Sequence, residues 1–166
     1  CVNLDPWAMR PEALRALVAE LESSAELVVC EGVMGLFDGA GPDGEAGSTA
    51  CLARLTGWPV VLVVDASGQG SSIAALLEGF ARHDPEVPLA GVIFNRVGSS
   101  RHAGVLSQAL RRFLPELPNL GMVFQDDTYA VPARHLGLVP AGEGSITGRQ
   151  IDRLGRFIGR GVEIDR

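Results

Sequence analysis

Glu31 ends an apolar run, ELVVCEG (residues 26–32), and opens a loop in which six glycines fall between Gly32 and Gly47. A carboxylate in such a place can hold Mg2+ through hard oxygen atoms or act as a general base. The glycines after it, Gly32, Gly35 and Gly39 first among them, let the backbone come close to a bulky or anionic group and aim N–H dipoles at it. Ser48 and Thr49 then open a helix whose N-terminus also favours anions. Two further polar residues close apolar runs in the same way: Asp65 ends PVVLVVD (59–65) and Asn95 ends PLAGVIFN (88–95). Each of the three has a glycine within three residues. Asp65 is either a second Mg2+ ligand or the cap of its own loop. Asn95 either reads a base edge through its paired donor and acceptor or satisfies a turn.

The other reactive side chains are less telling. His83 sits at a helix end beside Asp84, His102 follows Arg101 at a helix start, and His135 lies in the proline-bounded PARHLGLVP. No pair has zinc-ligand spacing. Cys1, Cys30 and Cys51 share no motif spacing and no partner base, which argues against a thiol nucleophile and for a reducing cytoplasm.

The elements that must position these residues alternate along the chain. Apolar runs at 26–31, 59–65, 88–95 and 117–124 read as strands. Helical spacing appears at 11–22, with Pro11 suited to a first turn, at 48–55 capped by Ser48, at 71–83, at 101–114 and in the tail at 146–158. Strands apolar on both faces, separated by helices, predict an α/β fold with a parallel sheet flanked by helices. In such sheets ligands bind at the carboxyl ends of the strands, the predicted location of Glu31, Asp65 and Asn95.

Composition excludes several classes. The 166 residues suit one domain, and 46% of them are hydrophobic, enough for a core without disulfides. A net charge of −6 offers no basic field for nucleic acid. The longest apolar run, PVVLVV, is too short to span a membrane. All fourteen basic residues are arginines, so no phosphate-binding loop with its lysine lies in this segment.

Five strings carry a resemblance: NLDPWAM (3–9), CEGVMGLFDG (30–39), GSTACLARLTGWPVVLVVDASG (47–68), AGVIFNRVGSSRH (90–102) and PARHLGLVPAGE (132–143). In this order they resemble the cobyrinate (or hydrogenobyrinate) a,c-diamide synthase family. The resemblance implies a P-loop NTPase-like amidoligase domain, similar to dethiobiotin synthetase, followed by a glutaminase domain. It implies ATP and Mg2+ as cofactors and a corrin-ring substrate in cobalamin biosynthesis, whose a and c acetate carboxylates are phosphorylated and then amidated with ammonia from glutamine. It assigns Glu31 to Mg2+ and the phosphoryl-transfer site. Asn95 matches the adenine-reading asparagine of related folds, with Asp65 and the loop holding His135 and Pro140 near the nucleotide or the corrin. Asn3, Asp5, Gly32, Gly35, Asp38, Ser48 and Thr49 fall to the substrate side.

The departures shape the expected organisation. The phosphate-binding loop is expected upstream and the glutaminase, with its nucleophilic cysteine, downstream. Residues 1–145 are then part of the ATP-binding amidoligase domain, incomplete at its N-terminus, and 146–166 a helical tail or linker. Such a piece of a longer cytoplasmic enzyme, with a homodimer open to it, is expected to be inactive alone. The alternatives are a dethiobiotin synthetase-like ligase, a regulatory partitioning-type P-loop ATPase, and an α/β fragment without autonomous activity. The metal state of the substrate, cobalt, none or nickel, is open.

Overall fold

The structure, a computed structural model, describes residues 1–42, 44–129, 133–134, 137–138 and 148–163. It divides into two compact units, one of Cys1–Val60 with His83–Leu89 and one of Val61–Arg82 with Ala90–Arg166.

The first unit is built on two helices. α1 (Pro11–Ser24) starts at Pro11, whose fixed φ and missing N–H suit the first turn. Leu14 and Val18, four residues apart on one helix face, are its buried pair. α2 (Thr49–Thr56) is capped by Ser48, whose Oγ accepts the Cys51 N–H at 3.0 Å. It stops at Gly57 in the left-handed region (φ 69°), whose N–H returns to the Ala53 carbonyl. Ala50, Leu52 and Ala53 of α2 join Leu36 and Val87 among the buried apolar residues. Trp58 Nε1 donates to Glu22 Oε1 at 2.7 Å, tying the chain after α2 to the end of α1. Arg54 pairs with Asp84 and, at 3.3 Å, with Glu45.

The stretch 26–31 is not the predicted strand. Among the described residues it makes no backbone hydrogen bond, and Leu27 and Val29 are 78% and 84% exposed. An apolar run becomes a strand only when a neighbour pairs with its N–H and C=O groups. Here it belongs to no regular element, and every residue but the half-buried Val28 is exposed.

The second unit is a three-stranded parallel sheet in the order β1 (Val60–Asp65), β2 (Leu89–Val97), β3 (Asn119–Phe124). α3 (Ile73–His83) links β1 to β2, and α4 (Ser100–Phe113) links β2 to β3. These are the crossovers that parallel strands require. Central β2 buries Val92, Phe94 and Val97 completely. Ile73, Ala74 and Leu77 of α3 and Leu106, Ala109 and Leu110 of α4 complete the core. β1 departs from the expectation of two covered faces: among the described residues it stands at the edge of the sheet, and it buries Leu62 and Val64 while Val61 and Val63 stay exposed.

After β3 come a 3-10 turn (Asp127–Tyr129), the short antiparallel pair β4 (Ala133–Arg134) and β5 (Gly137–Leu138), and α5 (Gly148–Ile158). Phe157 stacks on Tyr129, with centroids 4.1 Å apart, and Arg153 lies over the Tyr129 ring. Beyond α5 the chain pairs with β3: Met122 N–H donates to the Gly161 carbonyl at 2.7 Å and Glu163 N–H to the Leu120 carbonyl at 2.9 Å. No described helix is long and apolar enough to cross a membrane.

Candidate functional site

In the second unit the sequence-predicted edge is built at the carboxyl ends of β1 and β2. Asp65 Oδ1 accepts the Ser67 N–H at 2.9 Å, so its carboxylate caps the loop it opens. Asp65 Oδ2 takes Arg96 Nη1 at 3.0 Å. The Ser67 hydrogen bonds, with Arg96 adding to them, hold the Asp65 carboxyl below the usual range. Of its two sequence readings, loop cap and metal ligand, the structure displays the first.

Asn95 is half-buried at the end of β2, and its Oδ1 accepts the Arg96 N–H at 2.9 Å. That bond fixes the amide: one lone pair of Oδ1 is used, and the Nδ2 donors and the second lone pair remain for a ligand. Arg96 has a left-handed backbone (φ 58°), the one such non-glycine residue among those described, at a break in the β2–β3 register between Phe94 and Val97. A bulge of this kind re-aims side chains at a sheet rim. Ala66 N–H donates to the Asn95 carbonyl and Gln125 N–H to the Val97 carbonyl, both at 2.9 Å, so pairing continues past the strand ends.

The sequence reading did not single out Asp126, and it placed His102 only at a helix start. Asp126, after β3, repeats the Asp65 motif: Oδ1 accepts the Thr128 N–H and Oγ1, which hold its carboxyl below the usual range. His102 bridges two loops. Its Nδ1 accepts the Gly98 N–H at 3.1 Å, and its Nε2 lies 2.6 Å from the Gln69 carbonyl. The signal lay in GSSRH: Ser99 caps α4 by accepting the His102 N–H, and a side chain at that third helical position can reach back.

In the first unit the glycine loop is tied by its own groups. Asp38 Oδ2 accepts the Gly35 N–H at 3.1 Å, and the Asp38 N–H returns to the Gly35 carbonyl at 3.0 Å. Ala40 and Ala46 form an antiparallel bridge. Gly32 runs close to Thr49, since a Cβ on it would lie 2.8 Å from Thr49 Oγ1. Ser48 is buried and engaged as a cap. Asp5 Oδ1 accepts the Trp7 and Ala8 N–H groups at 2.9 and 3.0 Å, whereas Asn3 is exposed. Glu31 is exposed and makes no hydrogen bond or ion pair among the described residues. Its free hard-oxygen donor fits Mg2+, which takes one or two protein carboxylates and completes its shell with water and phosphate. No cluster of three or more potential metal ligands occurs among the described residues. His135 and Pro140 lie outside the described residues.

Parallel strands joined by helical crossovers, with short polar loops at their carboxyl ends, define an α/β domain of the ligand-binding kind. Residues 9–139 match the family model described as the CobQ/CobB/MinD/ParA nucleotide binding domain, and the chain belongs to that family. It is 56% identical over 87% of its length to a hydrogenobyrinate a,c-diamide synthase of Brucella anthropi, covering 33% of that protein. It is 46% identical over 99% of its length to a protein of the same name from Mesorhizobium japonicum, covering 37% of it. It is 52% identical over 86% of its length to a cobyrinate a,c-diamide synthase of Gloeobacter violaceus, covering 31%. The chain thus spans about a third of the length of these curated relatives. No solved structure matches it.

Proposed function

We propose that the chain is part of a (hydrogeno)cobyrinate a,c-diamide synthase of cobalamin biosynthesis. The observation that carries the reading is its 46% identity, over 99% of its length, to a relative named for that activity. The reaction begins at a carboxylate, a poor electrophile. Its oxygen attacks the γ-phosphorus of ATP and ADP leaves. Ammonia from glutamine then adds to the acyl carbon, and phosphate leaves as the amide forms. Phosphoryl transfer is mostly positioning and charge neutralisation. Glu31 would hold Mg2+, which would neutralise phosphate charge. Asn95 would read adenine with its free Nδ2 donors and remaining lone pair, and Asp65 with Arg96 would shape the loop beneath it. Gly32, Gly35, Asp38, Ser48 and Thr49 would line the approach of the substrate carboxylate, with Asn3 and Asp5 on the same side. His135 and Pro140 would lie near the nucleotide or the corrin.

In this reading residues 1–145 belong to the amidoligase domain and 146–166 lead towards a glutaminase domain, in a cytoplasmic enzyme with a homodimer as its assembly. The test is to supply the full-length protein with hydrogenobyrinate or cobyrinate, ATP, Mg2+ and glutamine, and to follow products by mass spectrometry. Two amidations, each dependent on ATP and glutamine, are expected. ATP hydrolysis without amide formation would overturn the reading in favour of a regulatory ATPase.

A further inference from the structure

We propose that His102 is a positioning residue for nucleotide binding: its imidazole locks the loop after β1 to the loop after β2 and so fixes the strand ends that carry Asp65 and Asn95. The inference rests on the reading of Asn95 as the adenine contact.

The argument starts from the ring. Nδ1 accepts the Gly98 N–H, so the ring proton of the neutral form sits on Nε2, which donates to the Gln69 carbonyl at 2.6 Å. Helix capping alone explains only one of these bonds. Ser99 already caps α4, and the Gly98 bond completes a box-like cap. The Nε2 bond reaches 33 residues back, to a loop that capping does not require.

That loop is continuous with the site. Gln69 N–H donates to the Ala66 carbonyl at 3.1 Å, and Gln69 Nε2 to the Asp65 carbonyl at 3.3 Å. The Ala66 N–H in turn donates to the Asn95 carbonyl at 2.9 Å. From Asn95 the chain runs through left-handed Arg96 to Gly98 and back to the imidazole. The circuit closes on itself. His102 is half-buried, and it is the member whose side chain joins the two loops from outside both. A bound base needs the Asn95 amide held in one orientation. The circuit holds the Asn95–Gly98 backbone, and with it the Arg96 N–H that bonds the amide Oδ1, without His102 touching the nucleotide.

The test is a double-mutant cycle in the full-length protein, with binding of ATP and of inorganic tripolyphosphate measured by calorimetry. His102→Ala should weaken ATP binding about tenfold while tripolyphosphate binding stays within about twofold. Added to Asn95→Ala, it should change ATP affinity by less than about twofold, because both act through one contact. His102→Asn and His102→Gln each keep one limb of the bridge, and each should fall between wild type and alanine. A His102→Ala protein that melts lower yet binds ATP as wild type would reduce His102 to a helix cap and overturn the proposal. Should the alanine variant not fold, wild-type ATP affinity in both amide variants would overturn it equally. If Asn95→Ala itself leaves ATP affinity unchanged, the adenine reading falls and this inference falls with it; loss in Asn95→Ala without loss in His102→Ala sinks the inference alone.

Discussion

Arg96 bonds Asp65 across neighbouring strand ends, Nη1 to Oδ2 at 3.0 Å, while its own backbone stands in the left-handed region at φ 58°. For an L-residue with a Cβ that conformation costs roughly 1–2 kcal/mol. The side chain is half-exposed, 53%, so its ion pair with an equally open Asp65 offsets only part of that cost. Arg96→Gly and Arg96→Ala both remove the ion pair, but only glycine removes the strain. Arg96→Gly should therefore be the more stable of the two by about 1 kcal/mol in urea denaturation. Equal stabilities would show that the bulge relaxes once the guanidinium is gone.

A second comparison uses two left-handed glycines of the first unit. Gly57 (φ 69°) ends α2 with open space where a Cβ would go, whereas a Cβ on Gly47 (φ 78°) would lie 2.7 Å from the Trp7 Cβ. Gly57→Ala should cost about 1 kcal/mol, the conformational term alone. Gly47→Ala adds a steric clash and should cost about 1–3 kcal/mol more. Tryptophan fluorescence during urea unfolding reads both, since Trp7 and Trp58 lie in this unit. Equal costs would mean that Trp7 moves aside freely.

Helices and the three paired strands were legible because each carries its own period: Leu14 and Val18 for α1, the β-branched run of β1, Ser48 and Ser99 as caps. The stretch 26–31 misled because its residues state only that a strand is affordable there. Pairing decides, and pairing is non-local. The ends of β1 and β2 were legible as polar positions at the carboxyl edge of the sheet, yet their hydrogen bonding was not. Nothing in DASG announces that Asp65 is shared between Ser67 and Arg96, and nothing in FNRV announces a left-handed Arg96. The His102 bridge escaped for the same reason: its partner Gln69 lies 33 residues away.

Acid should weaken the first unit through Asp84. The Glu86 N–H, with Arg54 as a further partner, holds the Asp84 carboxyl below its ordinary value. A carboxyl depressed in the folded state stabilises fully above its unfolded pKa of about 3.9, and that contribution is lost as pH falls through the lower folded value. Asp84→Asn removes the titration. The wild type should thus lose more of its stability than the variant between about pH 5 and about pH 2, read from urea midpoints across that range. Parallel acid limbs would assign the loss to other carboxylates.

Glu31 offers the sharpest separation of chemistry from folding. It is exposed and makes no hydrogen bond or ion pair among the described residues, so Glu31→Gln keeps shape and removes only charge. Its effect on stability should stay within about 0.5 kcal/mol. If the carboxylate holds Mg2+ at the transferring phosphoryl group, the full-length variant should lose about 100-fold or more in kcat, the scale of losing one electrostatic stabiliser. The Mg2+ concentration giving half-maximal rate should rise with it, because the amide oxygen is a weaker ligand than the carboxylate. Steady-state amidation across a Mg2+ titration distinguishes the roles. A lower kcat with an unchanged Mg2+ requirement would move Glu31 from metal ligand to general base. An unchanged kcat would remove it from the chemistry altogether, leaving the glycine loop to act through its backbone alone.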